Sequence, residues 1–260
     1  MAKHGHFHWN ELMSWDAEKA KQFYSAVLGW QFESMPGPGD EPYYIATDKK
    51  RNFIGGILSL TEEHQGVPES WFAYIAVDDV DARCGKFEAG GGSVLRPPVD
   101  VQNIGRIAIV RDGNGAALGL ITPANPDTAK HKSVPSGFFS WNELMSWDAE
   151  KARKFYADAI GWELEAMSAG VGGGVYYVAR SADAPAAGIF ACSKEEHEGV
   201  PESWFAYVKV DDVDASCGAV KEAGGAVLRS AEDIGEFGRF AVIGDAGGAA
   251  LGLLTPSGGS

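Results

Sequence analysis

The chain is written twice. Trp9 to Trp30, WNELMSWDAEKAKQFYSAVLGW, returns as Trp141 to Trp162, WNELMSWDAEKARKFYADAIGW. GVPESWFAY begins at Gly66 and again at Gly199, and DGNGAALGLITP at Asp112 is matched by DAGGAALGLLTP at Asp245. The displacement changes by one residue across these anchors, so order and spacing hold over the whole length. A unit of this size is a domain rather than a solenoid repeat. The joint lies in PANPDTAKHKSVPSG, which is polar, proline-bearing and without apolar periodicity. The expected organisation is one domain over 1–125, a linker over 126–134 and a second domain over 135–260.

Each copy reads as two rounds of the same element order. Phe7 to Met13 alternates as a strand. Asp16 then caps a helix whose Ala17, Ala20, Phe23, Tyr24, Val27 and Leu28 form one apolar face, and Gly29 stops it. Strands follow over Trp30 to Met35, Tyr43 to Thr47 and Phe53 to Leu60. The second round has a strand over Trp71 to Val77, a helix capped by Asp78-Asp79 and ended by Gly90–Gly92, and strands over Ser93 to Arg96, Arg106 to Arg111 and Ala117 to Ile121. The expected fold class is α+β, a tandem duplication built from four βαβββ modules.

Bulk properties narrow the partners. With 45% hydrophobic residues the chain can fill its cores, and a formal charge of −14 disfavours nucleic acid and anionic membrane surfaces. No apolar run approaches the length of a bilayer span, and MAKHGHFHWNELM is no secretory signal, so a cytoplasmic protein is expected. Cys84, Cys192 and Cys217 have no metal-site or disulfide spacing. The glycine runs Gly90–Gly92 and Gly172–Gly174 lack the strand–turn–helix context of a dinucleotide site, and neither a Walker loop nor a GxSxG elbow is present.

Asp16, Ala20, Phe23-Tyr24 and Leu28-Gly29-Trp30, then Val77-Asp78-Asp79-Val80-Asp81 with its following glycines, then Asp112-Gly-Asn-Gly-Ala, resemble in order the signature of the glyoxalase/bleomycin-resistance/extradiol-dioxygenase (vicinal oxygen chelate) superfamily. The second copy matches at 148–162, 210–214, 224–225 and 245–249. The resemblance implies two open, cup-shaped barrels, each holding a ligand on its concave face. It also implies a divalent metal, held by His, Gln or Glu on first strands and Glu on last strands, for lyase or dioxygenase-type chemistry. At those positions this chain carries Trp9, Phe72 and Gly119, and Trp141, Phe205 and Gly252. No metal ligand, and hence no cofactor, is expected.

What remains is aromatic and acidic. Trp9, Trp71 and Tyr74, with Trp141, Trp204 and Tyr207, stand on first strands and are expected to line the cups or to pack the core. Glu11 and Glu143, two residues beyond the tryptophans, share their sheet face. Each is either a carboxylate in an aromatic pocket, suited to general-base work, or a strand-end group with a lysine or amide partner. His64 and His197 read as solvated loop residues or lids, and His4, His6 and His8 as a frayed terminus. The expected partner is a small organic molecule, planar or cationic, bound by a monomer with an internal pseudo-dimer or by a homodimer. The alternative is a metal-dependent lyase or dioxygenase-type enzyme of the same superfamily.

Overall fold

The computed structural model describes residues 4–37, 40–125, 134–168, 175–193, 198–199 and 201–258. Most of the expected linker, the glycines 172–174 and His197 lie outside the described residues. The first copy comprises β1 (Phe7–Ser14), α1 (Ala17–Leu28), β2 (Gln31–Pro36), β3 (Pro42–Thr47), β4 (Phe53–Ser59), β5 (Ser70–Ala76), α2 (Val80–Ala89), β6 (Ser93–Val101), β7 (Gly105–Arg111) and β8 (Ala117–Pro123). The second comprises β9 (Phe139–Ser146), α3 (Ala149–Ala159), β10 (Glu163–Ser168), β11 (Val175–Ser181), β12 (Ala184–Ala191), β13 (Ser203–Lys209), α4 (Val213–Glu222), β14 (Ala226–Asp233), β15 (Gly238–Gly244) and β16 (Ala250–Pro256). The βαβββ order therefore occurs four times.

Local chemistry sets the helix ends. Asp16, Asp79, Asp148 and Asp212 each accept the backbone N–H three residues on, supplying one of the partners that a helix N-terminus lacks. Gly29 takes φ 69°, the left-handed conformation that closes α1 without a Cβ penalty.

Strands run β2-β3-β4-β1-β5-β8-β7-β6 in one sheet and β10-β11-β12-β9-β13-β16-β15-β14 in the other. Neither closes on itself, which fits an open cup rather than a sealed barrel. Within a module the last strand returns parallel to the first: Glu11 lies opposite Gly56, and Glu143 opposite Gly188. The β6 strand extends beyond the Arg96 expected from sequence. Pro97 and Pro98 are accommodated within it because at a sheet edge a missing N–H costs no ladder bond, and the register shifts between Arg96 and Val99 to absorb them.

The chain resolves into two compact units. One gathers residues 1–8, 73–130 and 141–205, and the other 9–72, 131–140 and 206–260. Each draws one module from each copy. In the first unit, α2 packs with α3 over a core containing Ile75, Phe87, Leu118, Leu120, Tyr156, Trp162 and Trp204. In the second, α1 packs with α4 over Leu12, Phe23, Tyr24, Trp30, Trp71, Val208 and Leu253. The expected core residues Tyr24, Trp30, Tyr156 and Trp162 are all at most 3% exposed.

The superfamily-like signature residues meet inside these cores. In the first unit the Trp204 indole N–H donates to the Tyr156 hydroxyl (3.0 Å), which donates to Asp112 Oδ2 (2.9 Å). Asp112 Oδ1 accepts the N–H groups of Asn114, Gly115 and Ala116, fixing the turn before β8. In the second unit Trp71, Tyr24 and Asp245 repeat the chain at 2.8 and 2.9 Å. The phenylalanine-tyrosine pair of one copy thus serves the aspartate turn of the other.

The N-terminal histidines do not fray. Gly5 N–H donates to Ala76 O, Trp162 Nε1 to Gly5 O and Ser181 Oγ to His4 O, while His4 Nε2 lies 2.8 Å from Ile160 O. The short segment before β1 is anchored because it adds bonds at the end of β5 and to Ile160, Trp162 and Ser181 beyond α3.

Candidate functional site

Strand alternation assigns the faces. On β1, Asn10, Leu12 and Ser14 are buried beneath the helix, which sends Trp9, Glu11 and Met13 to the opposite, half-buried face. On β9 the same parity turns Asn142, Leu144 and Ser146 inward and Trp141, Glu143 and Met145 outward.

In the first unit the Trp141 indole N–H donates to the Tyr176 hydroxyl at 2.7 Å, and that hydroxyl donates to Glu143 Oε2 at 3.1 Å. Burial, and next the adjacent Glu143 charge, push the Tyr176 hydroxyl well above its ordinary pKa. It therefore stays protonated as a donor to the carboxylate. Phe190, directly opposite Tyr176 on β12, brings a second ring to within 6.5 Å of its centroid. In the second unit the Trp9 indole N–H donates to the Tyr43 hydroxyl at 2.8 Å, and Glu11 stands two residues beyond Trp9 on the same face.

The glycines of the last strands belong to the same design. A Cβ built on Gly56 would collide with the Tyr43 hydroxyl, and one on Gly188 with that of Tyr176. A Cβ on Gly119 would run into the Tyr74 ring, and one on Gly252 into the Tyr207 ring. Tyr74 lies directly opposite Gly119, and Tyr207 opposite Gly252. Each module's closing strand thus presents a bare backbone that one tyrosine side chain approaches closely.

Trp71 and Trp204 stand elsewhere. Parity places Phe72 and Tyr74 on one face of β5 and Trp71, Ala73 and Ile75 on the other. Trp71 is 8% exposed among Tyr24, Trp30 and Phe139, and Trp204 is 6% exposed among Phe7, Tyr156 and Trp162. Tyr74 lies three positions after Trp71, an odd offset, so one strand cannot show both to one ligand. Of the aromatics singled out from sequence, Trp9, Tyr74, Trp141 and Tyr207 share the face of the glutamates, whereas Trp71 and Trp204 belong to the core.

Sequence reasoning missed Tyr43 and Tyr176. The signal was the Tyr-Tyr pair that survives in both copies within an otherwise diverged stretch. Its second members turn to the helix side, where Tyr44 reaches Glu18 and Tyr177 reaches Glu150. His64 is engaged locally, its Nδ1 accepting the Thr61 N–H at 3.1 Å.

The donor set does not fit a divalent ion of the expected kind. Indole, phenyl and glycine offer no ligand atom. A side chain long enough to supply a carboxylate from Gly119 or Gly252 would have to displace a tyrosine ring. Among the described residues no three His, Cys, Asp or Glu side chains converge as a metal site. The arrangement offers instead an aromatic wall, a hydrogen-bonded phenol and a single carboxylate.

Comparison with known proteins places this architecture. The model of the Glyoxalase/Bleomycin resistance protein/Dioxygenase superfamily matches residues 6–120 and 140–253. The chain is 34% identical over 250 residues to a Mycobacterium bovis protein named "Putative glyoxylase CFP32", covering 96% of this chain and 94% of that one. It is 28% identical over 241 residues to "Anthracycline biosynthesis protein DnrV" of Streptomyces peucetius, covering 86% and 84%. In fold it is similar to the Mn(II)-bound glyoxalase from Novosphingobium aromaticivorans (TM-score 0.64, 16% identity, 98% of this chain and 83% of that one). It is equally similar to the 2,3-dioxygenase LapB from Pseudomonas sp. KL28 (TM-score 0.65, 11% identity, 98% and 93%). The chain belongs to the Glyoxalase/Bleomycin resistance protein/Dioxygenase superfamily, with one such domain in each copy.

Proposed function

We propose that each copy binds a small organic molecule against its tryptophan–tyrosine–glutamate cluster, without the divalent metal carried by relatives such as the Mn(II)-bound glyoxalase. The observation that carries this reading is the tyrosine side chain packed against each closing-strand glycine, ring first at Gly119 and Gly252. Where the superfamily pattern calls for a carboxylate, this chain has filled the space with an aromatic face. Such a face suits a planar or amphipathic ligand, and the neighbouring carboxylate suits one bearing a donor or a positive charge. The similarity to an anthracycline biosynthesis protein supports a polycyclic aromatic ligand class.

A thermal-shift series of planar aromatic compounds, neutral and cationic, tests it. A ligand at a hundred times its Kd raises stability by about 2.7 kcal/mol. Trp141→Ala and Trp9→Ala should each reduce that shift while the unliganded melting temperature stays near that of the parent. A shift unchanged in both variants would remove the cups from the account.

The Tyr176–Glu143 bond favours a second reading, in which Glu143 takes a proton from the bound molecule and Tyr176 holds the carboxylate in place. Turnover by the metal-stripped protein that is lost in Glu143→Gln, with ligand binding retained, would establish it.

A further inference from the structure

The two units are built alike, and they differ at one place, the C-terminus of a helix in each. In the first unit the C-terminus of α3 is covered by two side chains from the other copy. Arg83 Nη1 donates to Ala159 O (3.1 Å) and Ile160 O (3.2 Å), while its Nε and Nη2 each donate to Asp78 at 2.9 Å. His4 adds its contact to Ile160 O. The Arg83 side chain is only 12% exposed, and its guanidinium holds the Asp78 carboxyl well below the usual carboxylate range. A forked cation is thus seated between a carboxylate and the negative end of a helix.

The equivalent place in the second unit is the C-terminus of α1. The equivalence is fixed by shared bonds: Gly137 N–H donates to Lys209 O and Trp30 Nε1 to Gly137 O, repeating Gly5 with Ala76 and Trp162 with Gly5. Val27 and Leu28 replace Ala159 and Ile160, and Asp211 replaces Asp78. Ser216 stands for Arg83 and Ser136 for His4. Ser216 is too short to reach across, and its hydroxyl turns back to Asp212 O at 2.7 Å. α1 has no basic residue in its last turn. At this place the second unit has an open cleft of about 420 Å³ lined by Val27, Leu28, Ser136, Asp211 and Ser216 among others.

We propose that this cleft binds a guanidinium group, its fork on Asp211 and its remaining N–H groups on the terminal carbonyls of α1. Arg83 in the first unit is the template for the pose. A guanidinium fits better than an ammonium because the site asks for a planar donor that meets a carboxylate with two parallel bonds and still has N–H groups to spare. The site is separate from the cups and does not depend on what they hold.

Titration of the full chain with ethylguanidinium, against tetramethylammonium at equal ionic strength, tests the proposal. One saturable site for ethylguanidinium, with none for tetramethylammonium, is expected. Asp211→Asn should weaken it about tenfold or more, the loss of a charge-assisted fork. Ser216→Arg, which supplies the missing side chain from within, should abolish it and raise the melting temperature. L-Arginine and Nα-acetylarginine amide distinguish the source: tighter binding of the first marks a free amino acid, of the second a peptide side chain. No saturable site, or an isotherm unchanged in both Asp211→Asn and Ser216→Arg, would overturn the proposal.

Discussion

At the scale of single residues, the glycines of β8 and β16 and the tyrosines facing them are one device. Gly119→Ala should destabilise the protein by about 1–3 kcal/mol, because a methyl group there meets the Tyr74 ring in a packed interior. Tyr74→Ala should restore most of that loss in the double variant, and denaturant unfolding of the four proteins reads the coupling. Tyr156→Phe removes the donor to Asp112 Oδ2 and leaves a buried carboxylate oxygen short of a partner, at about 1–3 kcal/mol by the same measurement. The sequence showed that Trp9 and Gly119 could not be ligands, since residue type decides that. It did not show what filled the space, because the tyrosine of β3 becomes a neighbour of Trp9 only through strand pairing. Of the two places open to Trp71, the core was decidable from sequence, as counting two residues at a time from Tyr74 excludes it from that face.

At the scale of elements, the helices were legible because their ends are written in residue chemistry. Asp16→Ala and Asp148→Ala should each cost about 1 kcal/mol, seen as a lower midpoint of thermal or denaturant unfolding. The full length of β6 was not legible, since prolines end a central strand and are harmless at an edge. The segment preceding β13 carries a pH dependence. Glu202 Oε1 accepts the Trp147 N–H at 2.7 Å, and burial nonetheless raises its carboxyl pKa above the ordinary value. The folded state therefore favours the protonated form. That contribution is present at acid pH and is lost as pH rises through the folded value. Glu202→Gln should accordingly gain stability relative to the parent as pH rises through and above the ordinary carboxylate range, measured as the difference in unfolding free energy at each pH. A difference that shrinks over that range would contradict the assignment.

At the scale of the whole molecule, the repeat announced two copies, and the copies are not the compact units. Each unit takes one module from each copy, and Tyr24 of the first copy completes the aspartate turn of the second. No linear reading of spacing reveals this, because both ways of pairing modules satisfy the same alternation. Residues 1–125 expressed alone would lack α3 over α2 and α4 over α1. They should therefore form a dimer or fail to fold, and light scattering coupled to gel filtration separates these outcomes from the folded monomer that would count against the pairing. The superfamily signature, for its part, is spent on holding modules together, which is why it identifies the fold so well and the ligand so little. In the cups, indole, phenol and glycine occupy the positions at which the superfamily resemblance implies metal ligands. The most direct test is elemental analysis of the full chain after incubation with Mn(II), Fe(II), Ni(II) and Zn(II) and exhaustive dialysis. Far less than one ion per copy is expected, unchanged in Glu11→Gln and Glu143→Gln; one tightly held ion per copy, lost in those variants, would show that the cups hold a metal after all.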